Sequence, residues 1–158
     1  MIGREIMGVT IKVTDNTDKI KNEFETAVRK ALTTCGLQAQ DFAKETLSYD
    51  TNHGGKVHVN TGLLRNSIAY ALGGEGAHPE SYSADKGDGH GSYSGTAPEN
   101  EDGVYKVYLG TNVEYAKYVE YGTYRSQAYP YIKPAIADHS ATYAGIIKNE
   151  LGGLGGAG

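Results

Sequence analysis

The stretch TDKIKNEFETAVRKALTTCGLQAQDFAKETL, residues 17–47, decides the fold because it is the longest regular pattern in the chain. Apolar side chains recur along it at helical spacing, and Lys, Glu, Asp and Gln fill most of the opposite face. The apolar face consists of Ile20, Phe24, Ala27, Ala31, Cys35, Ala39, Phe42 and Leu47. Before it, Asp15-Asn16-Thr17-Asp18 supplies the short polar side chains that cap a first helical turn. The sequence therefore predicts a long helix to about Leu47, weakest at Gly36.

Strand patterns flank this helix on both sides. Apolar residues alternate with polar ones over residues 9–13, and again over 68–72 and 104–109, which is the period of a strand with one buried face. Residues 48–59 are polar and contain Gly-Gly, so they are predicted to form a loop. A turn at Thr61-Gly62 is expected to lead directly into the second strand.

The C-terminal part alternates between helical and extended patterns. Val113 to Tyr121 predicts a short helix, and Gly122 is expected to end it in a left-handed conformation. Residues 123–133 are aromatic and extended. Pro134 suits the first position of a last helix, because that position needs no amide donor. Helical spacing then continues through Ile136, His139, Tyr143, Ile147 and Leu151.

The segment 73–103 is poor in aliphatic side chains and rich in Gly, Ser, Asp, Glu and Tyr. Such a composition cannot build a core of its own, and loops of this length are commonly functional. We expect an inserted long loop that is ordered by docking on a neighbouring subunit. The sequence thus predicts one domain over residues 1–151, interrupted by this insertion. A glycine-rich tail over 152–158 is expected to be mobile unless a partner holds it.

Size and charge exclude several classes of protein. The chain has 158 residues and a formal net charge of -4, whereas a nucleic-acid-binding module normally presents a basic face. Cys35 is the only cysteine, so an internal disulfide framework is excluded and a small core residue is expected. The N-terminus carries no apolar run of signal-peptide length, and no stretch approaches a membrane span. We expect a soluble protein made in a cytoplasm.

Tyrosine is unusually frequent, since 13 Tyr accompany 2 Phe and no Trp. A tyrosine ring combines a flat apolar body with a polar tip, which suits surfaces that are wet at one stage and buried at another. Protein interfaces are enriched in tyrosine for this reason. Composition leaves open the alternative that several rings line a half-buried sheet.

No pattern in the sequence predicts a catalytic or metal site. None of the 5 histidines forms an i, i+4 pair or lies at zinc-ligand spacing from a Cys or a carboxylate. Residues 85–91 faintly resemble a calcium loop, but Gly occupies positions that need oxygen ligands. No Ser lies in the strand–turn–helix elbow of a hydrolase, and no glycine-rich stretch ends in the Gly-Lys-Ser/Thr of a phosphate-binding loop. We therefore predict no catalytic residue, no metal and no cofactor.

Three segments together resemble a known family. They are TGLLRNSI at residues 61–68, GTNVEYAKYVEYGT at 110–123 and YPYIKPA at 129–135. In this order they are similar to the "gene product ten"-like neck and tail-completion proteins of long-tailed, siphovirus-type phages and prophages. That family shows Thr-Gly-x-Leu-Arg-x-Ser-Ile, then Gly-Thr-Asn-x-x-Tyr-Ala-x-Tyr-x-Glu-x-Gly-Thr, then an aromatic-Pro-aromatic stretch. Each segment alone is weak evidence for the family, whereas the three in this order are specific to it. The long 73–103 segment is where this chain departs from the family pattern.

The resemblance implies an α+β fold, in which a small antiparallel β-sheet packs with the long N-terminal helix and a C-terminal helix. It implies a structural virion protein without enzyme activity, assembled as a ring at the head–tail junction, with a hexamer favoured. Implied partners are connector or head-completion proteins and tail-tube or tail-terminator proteins. DNA would pass through the ring without specific binding, because lumen carboxylates repel phosphates, and no membrane is involved. The alternatives are a tail terminator, a minor tail or adhesion component, and a small hydrolase.

The resemblance also selects motif and interface candidates in this chain. They are Thr61, Gly62, Leu64, Arg65, Ile68, Tyr115, Tyr118, Glu120, Tyr121, Gly122, Thr123, Pro130 and Pro134. We expect Arg65 to pair with Glu114 or Glu120, the alternative being a solvated surface charge of little consequence. One domain cannot bury all three tyrosines of the short helix, so at least one is expected to contact another subunit.

Overall fold

The computed structural model describes residues 14–48, 62–86, 89–96 and 103–155. Its helices are α1 (Thr17–Ser48), α2 (Leu63–Ser67), α3 (Ala116–Tyr121), α4 (Ile132–Ala137) and α5 (Ser140–Gly152). Its strands are β1 (Ala69–Gly73), β2 (Ser81–Lys86), β3 (Gly89–Ser94) and β4 (Gly103–Gly110), and a 3-10 turn at Gly153–Gly155 follows α5. The predicted α+β class is confirmed. Three predicted features lie outside the described residues. They are the strand at 9–13, the part of the 48–59 loop that follows Ser48, and the turn residue Thr61.

Helix α1 begins where the polar cap predicts. The Thr17 amide donates to the Asp15 carboxylate at 2.9 Å, and the Ile20 amide donates to the Asn16 carbonyl at 3.0 Å. Hydrogen bonds from the side chain and then the backbone of Thr17 lower the pKa of the Asp15 carboxyl. The helix contains 32 residues, so it is about 48 Å long at the usual rise per residue.

Only the later part of α1 enters the core. Every residue from Thr17 to Phe24 is exposed, and the first buried one is Val28. Cys35 is buried, as predicted. Ile20 and Phe24 were expected on the core face but are 63% and 40% exposed. The apolar periodicity is correct at these positions, but the clusters that α1 joins begin only at Val28.

Among the described residues, the sheet that packs on α1 has two antiparallel strands. Tyr70 of β1 lies opposite Leu109 of β4, and Leu72 lies opposite Val107. Ile68, Tyr70 and Leu72 are buried as predicted, but Ala69 and Ala71 between them are buried too, so β1 is covered on both faces rather than on one. The approach to β1 differs from the expectation, because the short helix α2 separates the strand from the preceding turn.

Two apolar clusters connect α1 with the sheet and with the C-terminal helices. One consists of Ala43, Leu47, Ile68, Tyr131 and Ala135. The other consists of Val28, Leu32 and Leu72, with Val107 and Leu151 packed against it. Between them along α1, Gly36 permits close approach, because a Cβ there would lie 2.5 Å from Cδ2 of Tyr70. The first cluster holds the YPYIKPA segment against the C-terminal part of α1.

The segment 73–103 is not a loop throughout. β2 and β3 form an antiparallel hairpin in which Tyr82 lies opposite Tyr93, and their rings stack with centroids 5.4 Å apart. Ala84 is buried, and the Asn66 side chain donates to the Ser83 carbonyl at 2.7 Å. The loop prediction is therefore wrong for the hairpin, because contacts within the same chain hold it in place.

The C-terminal region forms two helices rather than one. α4 begins at Ile132, so Pro134 is its third residue instead of its first, a position where the missing amide still costs no helical hydrogen bond. α5 begins separately at Ser140. The Tyr143 hydroxyl donates to the Ala135 carbonyl and thereby joins the two helices.

Candidate assembly surface

The first two motif segments meet through a pair of hydroxyl groups. The Ser67 hydroxyl in α2 hydrogen-bonds the Thr111 hydroxyl just after β4. At the other end of α2, Gly62 has a φ of 74°, and the Asn66 amide donates to its carbonyl at 2.8 Å. Leu64 packs against the first core cluster. The TGLLRNSI segment is thus a structural support for the segment that follows β4.

Asn112 is a structural position that the sequence analysis did not select. Its side-chain amide donates to the Ser94 carbonyl at 3.0 Å, and its Oδ1 accepts a bond from the Tyr82 hydroxyl at 2.7 Å. Both strands of the hairpin are therefore attached to the Gly-Thr-Asn motif. The only feature of the sequence that pointed to Asn112 was its place inside this motif.

We expect Asn112→Ala to loosen the hairpin and to cost about 1–2 kcal/mol, because three side-chain hydrogen bonds are lost, the third being a longer one to the Thr96 hydroxyl at 3.4 Å. The measurement is hydrogen exchange, which should accelerate in β2 and β3 while α1 keeps its protection. Asn149→Ala is the matched control, since Asn149 lies exposed on α5. Equal exchange in the two variants would show that Asn112 does not hold the hairpin.

Glu120 in α3 joins the second motif segment to the third. Its carboxylate accepts hydrogen bonds from the amides of Tyr131 at 2.8 Å, Ile132 at 3.0 Å and Lys133 at 2.9 Å. The side chain is only 7% exposed. These donors belong to the start of α4, where amides lack helical partners and favour negative charge. Burial, and secondarily the Glu120 charge, raises the pKa of the Tyr131 phenol.

This arrangement overturns the predicted ion pair of Arg65. Its Nε donates to Oδ1 of Asn66 at 3.2 Å, and within the described residues no ion pair joins it to Glu114 or Glu120. The reason is that the Glu120 carboxylate is already bound by backbone amides. Glu120 is consequently a buried residue that joins α3 to α4 within the subunit.

The turn after α3 depends on Gly122, which has φ 74° and ψ -178°. The positive φ agrees with the predicted left-handed conformation, but the extended ψ places Gly122 outside the αL region. A Cβ at this position would lie 2.6 Å from the Ala128 nitrogen and 2.8 Å from the Ser126 oxygen. Thr123 supports the same turn, because its hydroxyl accepts a bond from the Ser126 amide at 3.1 Å.

The returning chain is fixed to two helices by Tyr129. Its amide donates to the Val119 carbonyl at 2.7 Å, and its hydroxyl donates to the Thr46 carbonyl of α1 at 2.8 Å. Pro130 follows as an exposed residue with no amide to satisfy, and the next residue, Tyr131, is buried. The three motif segments thus form one connected unit on the end of α1.

This unit presents three aromatic rings to solvent. Tyr118 is 52% exposed, Tyr121 79% and Tyr124 89%. Two cations lie over these rings: Lys117 Nζ is 5.1 Å from the Tyr118 centroid, and the Arg125 guanidinium is 4.8 Å from that of Tyr124. We call Tyr118, Tyr121 and Tyr124 the tyrosine surface. The sequence analysis selected the first two and missed Tyr124.

Tyr115 is less free than these three rings. It is 43% exposed, and partial burial raises the pKa of its phenol, while a hydrogen bond with the Leu64 backbone acts in the opposite direction. Its contact with α2 makes it part of the connection between the first two motif segments.

An open groove of about 580 Å³ lies between α3 and α4. Its apolar lining includes Val113, Ala116, Ile132 and Ile136, and its charged lining residues are Glu114, Lys117, Glu120 and Lys133. Ile136 is 50% exposed there. We call this feature the α3–α4 groove, and it adjoins the tyrosine surface because Tyr121 also lines it.

Comparison with known families agrees with the motif unit. Residues 11–122 match the model of the family described as "Bacteriophage HK97-gp10, putative tail-component". The chain belongs to this family. The resemblance drawn from the motifs is confirmed, and the YPYIKPA segment lies beyond the matched residues. Comparison with curated proteins and with solved structures gives no match.

Membership of this family makes the chain a structural tail component of a phage, found in the virion. The family is one of structural proteins and not a class of enzymes. Within the described ranges, no group of three or more His, Cys, Asp or Glu side chains is arranged to hold a metal ion. No helix in the same ranges is both long enough and apolar enough to cross a membrane.

Proposed function

We propose that this tail component assembles as a homo-oligomeric ring, a hexamer, at the head–tail junction, where it completes the tail and joins it to the head. The observation that carries the proposal is the tyrosine surface. Its rings stand on a unit built from the family's own motifs, and their own chain leaves them in water. A surface of this composition is typical of an interface that forms after folding.

The energetics of tyrosine favour this use. Burying a large side chain stabilises an interface by about 1.5–3 kcal/mol, while the hydroxyl groups keep the unassembled subunit compatible with water. The Lys117 and Arg125 cations over the rings add polar contacts at the edge of the apolar area. Hydrogen bonds hold the supporting turn in place, since the Thr123 amide and hydroxyl bond Ser126 and the Tyr129 amide bonds the Val119 carbonyl. A turn that is already ordered loses less conformational entropy on assembly.

The proposed partners are the head connector or head-completion proteins on one side and the tail tube or tail terminator on the other. DNA passes through the ring without specific binding, consistent with the net charge of -4. Salt-sensitive DNA binding by the assembled ring would contradict this part of the proposal. A tail terminator is the second candidate, and it differs in binding only the tail-tube end.

The test is native mass spectrometry and negative-stain imaging of the purified protein, alone and after mixing with tail tubes or with filled heads. Rings that attach to tube ends and allow heads to join support the proposed function. Rings that attach to tubes but leave head joining unchanged identify a tail terminator. A permanent monomer that binds neither structure would refute both.

Tyr118→Ser is expected to weaken ring assembly by about 30-fold or more, the usual effect of truncating an aromatic residue that anchors an interface. Its unfolding free energy should change by less than about 0.5 kcal/mol, because the ring is exposed in the subunit. Sedimentation and chemical denaturation measure the two quantities. Tyr118→Phe keeps the ring body and should largely preserve assembly, whereas parallel losses of stability and assembly in the Ser variant would disprove an interface role.

A further inference from the structure

Helix α5 packs on α1 without burying any of its own side chains. None of its 13 residues is buried, although Tyr143 and Ile147 are half-buried. A helix of this length takes most of its stability from packing an apolar face against the core. Segments with few buried apolar contacts open at a low free energy. We therefore expect α5 to separate from α1 before the rest of the fold opens.

An apolar cavity of about 160 Å³ lies between α5, α1 and β4. Its lining includes Cys35 and Ala39 of α1, Val107 of β4 and Ile147 of α5. We call this feature the α5 cavity. Atoms that line a void lack van der Waals partners on one side, and the cost of a void grows with its volume. The α5 cavity therefore weakens the attachment of α5 to α1 and β4.

The start of α5 is well anchored. The His139 ring stacks on Phe42 of α1, with ring centroids 3.5 Å apart and an angle of 6° between the rings. One turn later, the Tyr143 hydroxyl donates to the Ala135 carbonyl of α4. The short break between α4 and α5 therefore lies at a fixed point of the subunit.

The end of α5 is held less firmly. Lys30 of α1 pairs with Glu150 at 2.9 Å, but the Lys30 side chain is 69% exposed, and exposed ion pairs contribute little to stability. Leu151 packs against the second apolar cluster and is only half-buried. A helix that is fixed at one end, weakly held at the other and underlain by a void is built to swing about its fixed end.

We propose that α5 is a hinged lid, which swings about His139 and opens the α5 cavity as the subunit enters the ring. Ile136 of α4 provides the link to assembly, because it lines both the α5 cavity and the α3–α4 groove beside the tyrosine surface. A displacement of α5 changes the packing on one side of Ile136 and so the shape of the groove on the other. Contiguous packed side chains with two arrangements carry such coupling. The inference rests on the proposed ring for the event that opens the lid.

Cys35 reports the opening in the unmodified chain. It is the only cysteine, it is 4% exposed, and it lines the α5 cavity. The thiol reagent DTNB should label it about 100-fold or more faster than global unfolding allows, because the lid opens at a lower free energy. The labelling rate should depend little on low concentrations of urea, because lid opening exposes little surface. A rate equal to that of global unfolding, rising steeply with urea, would overturn the inference.

Lys30→Met removes the ion pair at the free end of α5. It should speed the labelling of Cys35 by about 2–5-fold, the effect of losing one exposed pair. Lys19→Met is the matched control, since Lys19 pairs with Glu23 within α1 at 3.8 Å, and it should leave the rate unchanged. Equal rates in the two variants would show that the end of α5 is not the part that moves.

A disulfide across the α5 cavity tests the link to assembly. Ile147→Cys places a second thiol in the same lining as Cys35, and oxidised glutathione should join the two. We expect the oxidised variant to remain a folded subunit that forms no rings, and we expect reduction to restore them. Native mass spectrometry measures ring size, and the wild type treated in the same way is the control. Tyr143→Cys, at another lining position, replaces the variant if no disulfide forms.

The outcomes separate the lid from the ring. Rings that form equally in the oxidised and reduced variant would overturn the inference and leave the proposed function standing. A wild-type chain that forms no ring, alone or on tail tubes, would overturn the proposed function itself, whatever the labelling rate of Cys35.

Discussion

Gly122→Ala is expected to destabilise the subunit by about 3 kcal/mol, because this combination of positive φ with extended ψ is accessible essentially to glycine alone. The added Cβ would also collide with the backbone at Ala128 and Ser126, which cannot rotate away as a side chain would. In a chain of this size the loss corresponds to a melting temperature lower by about 6–12 °C. The turn that carries Tyr124 should move, so ring assembly should fail as well.

Chemical denaturation measures this loss directly, and Gly145→Ala is the matched control. Gly145 lies in α5 with open space around the position of a Cβ. Replacing a helical glycine there should stabilise the chain by about 0.5–1 kcal/mol. If both alanine variants changed stability in the same direction, the backbone conformation assigned to Gly122 would be wrong.

Glu120→Gln should lower the unfolding free energy by about 2–3 kcal/mol, despite the nearly identical shape of the two side chains. The carboxylate accepts from three amides with both of its oxygens. A glutamine keeps only one accepting oxygen and turns an NH₂ group toward the remaining donor, which leaves a buried amide unsatisfied. The charge that favours the start of α4 is also lost. Denaturation and hydrogen exchange of α4 report the two effects.

Glu114→Gln is the control for this prediction, because Glu114 is exposed six residues earlier in the chain, before α3 begins. Its unfolding free energy should remain within about 0.5 kcal/mol of the wild type. A Glu120→Gln variant as stable as this control would show that the three amide bonds contribute little. In that case the connection between α3 and α4 would depend on the apolar cluster around Tyr131 instead.

Regular periodicity made the larger elements predictable from the sequence. α1 buries Ala31, Cys35, Ala39 and Leu47 as its pattern indicates, and β1 buries Tyr70 and Leu72. In β4, Val107 and Leu109 are only half-buried. The hairpin was missed because alternating Tyr, Ser and Gly lack the aliphatic side chains by which buried strands are recognised. The exposure of Ile20 could not be predicted either. Periodicity shows which face of a helix is apolar, but it does not show how much of that face the core covers.

The roles of individual motif residues were harder to predict from the sequence than the helices and strands. The role of Gly122 could be predicted, because a glycine after a helix commonly supplies a positive φ. Glu120 could not, since a rule that pairs opposite side-chain charges does not consider backbone amides as partners. The roles of Asn112 and Tyr124 could be seen only in the structure. Asn112 bonds residues that are distant in sequence, and Tyr124 stands out because its ring is exposed.

The bonding of Glu120 has a consequence for how relatives of this chain can diverge. The carboxylate is held by main-chain nitrogens at residues 131–133, and such nitrogens are supplied by nearly every amino acid. Side chains on the outer face of α4 can therefore change while the peptide path beneath them stays in place. Substitutions on the outer face of α4 can therefore change which protein this surface contacts. The backbone of α4 keeps its position, because its bonds to Glu120 do not depend on those side chains.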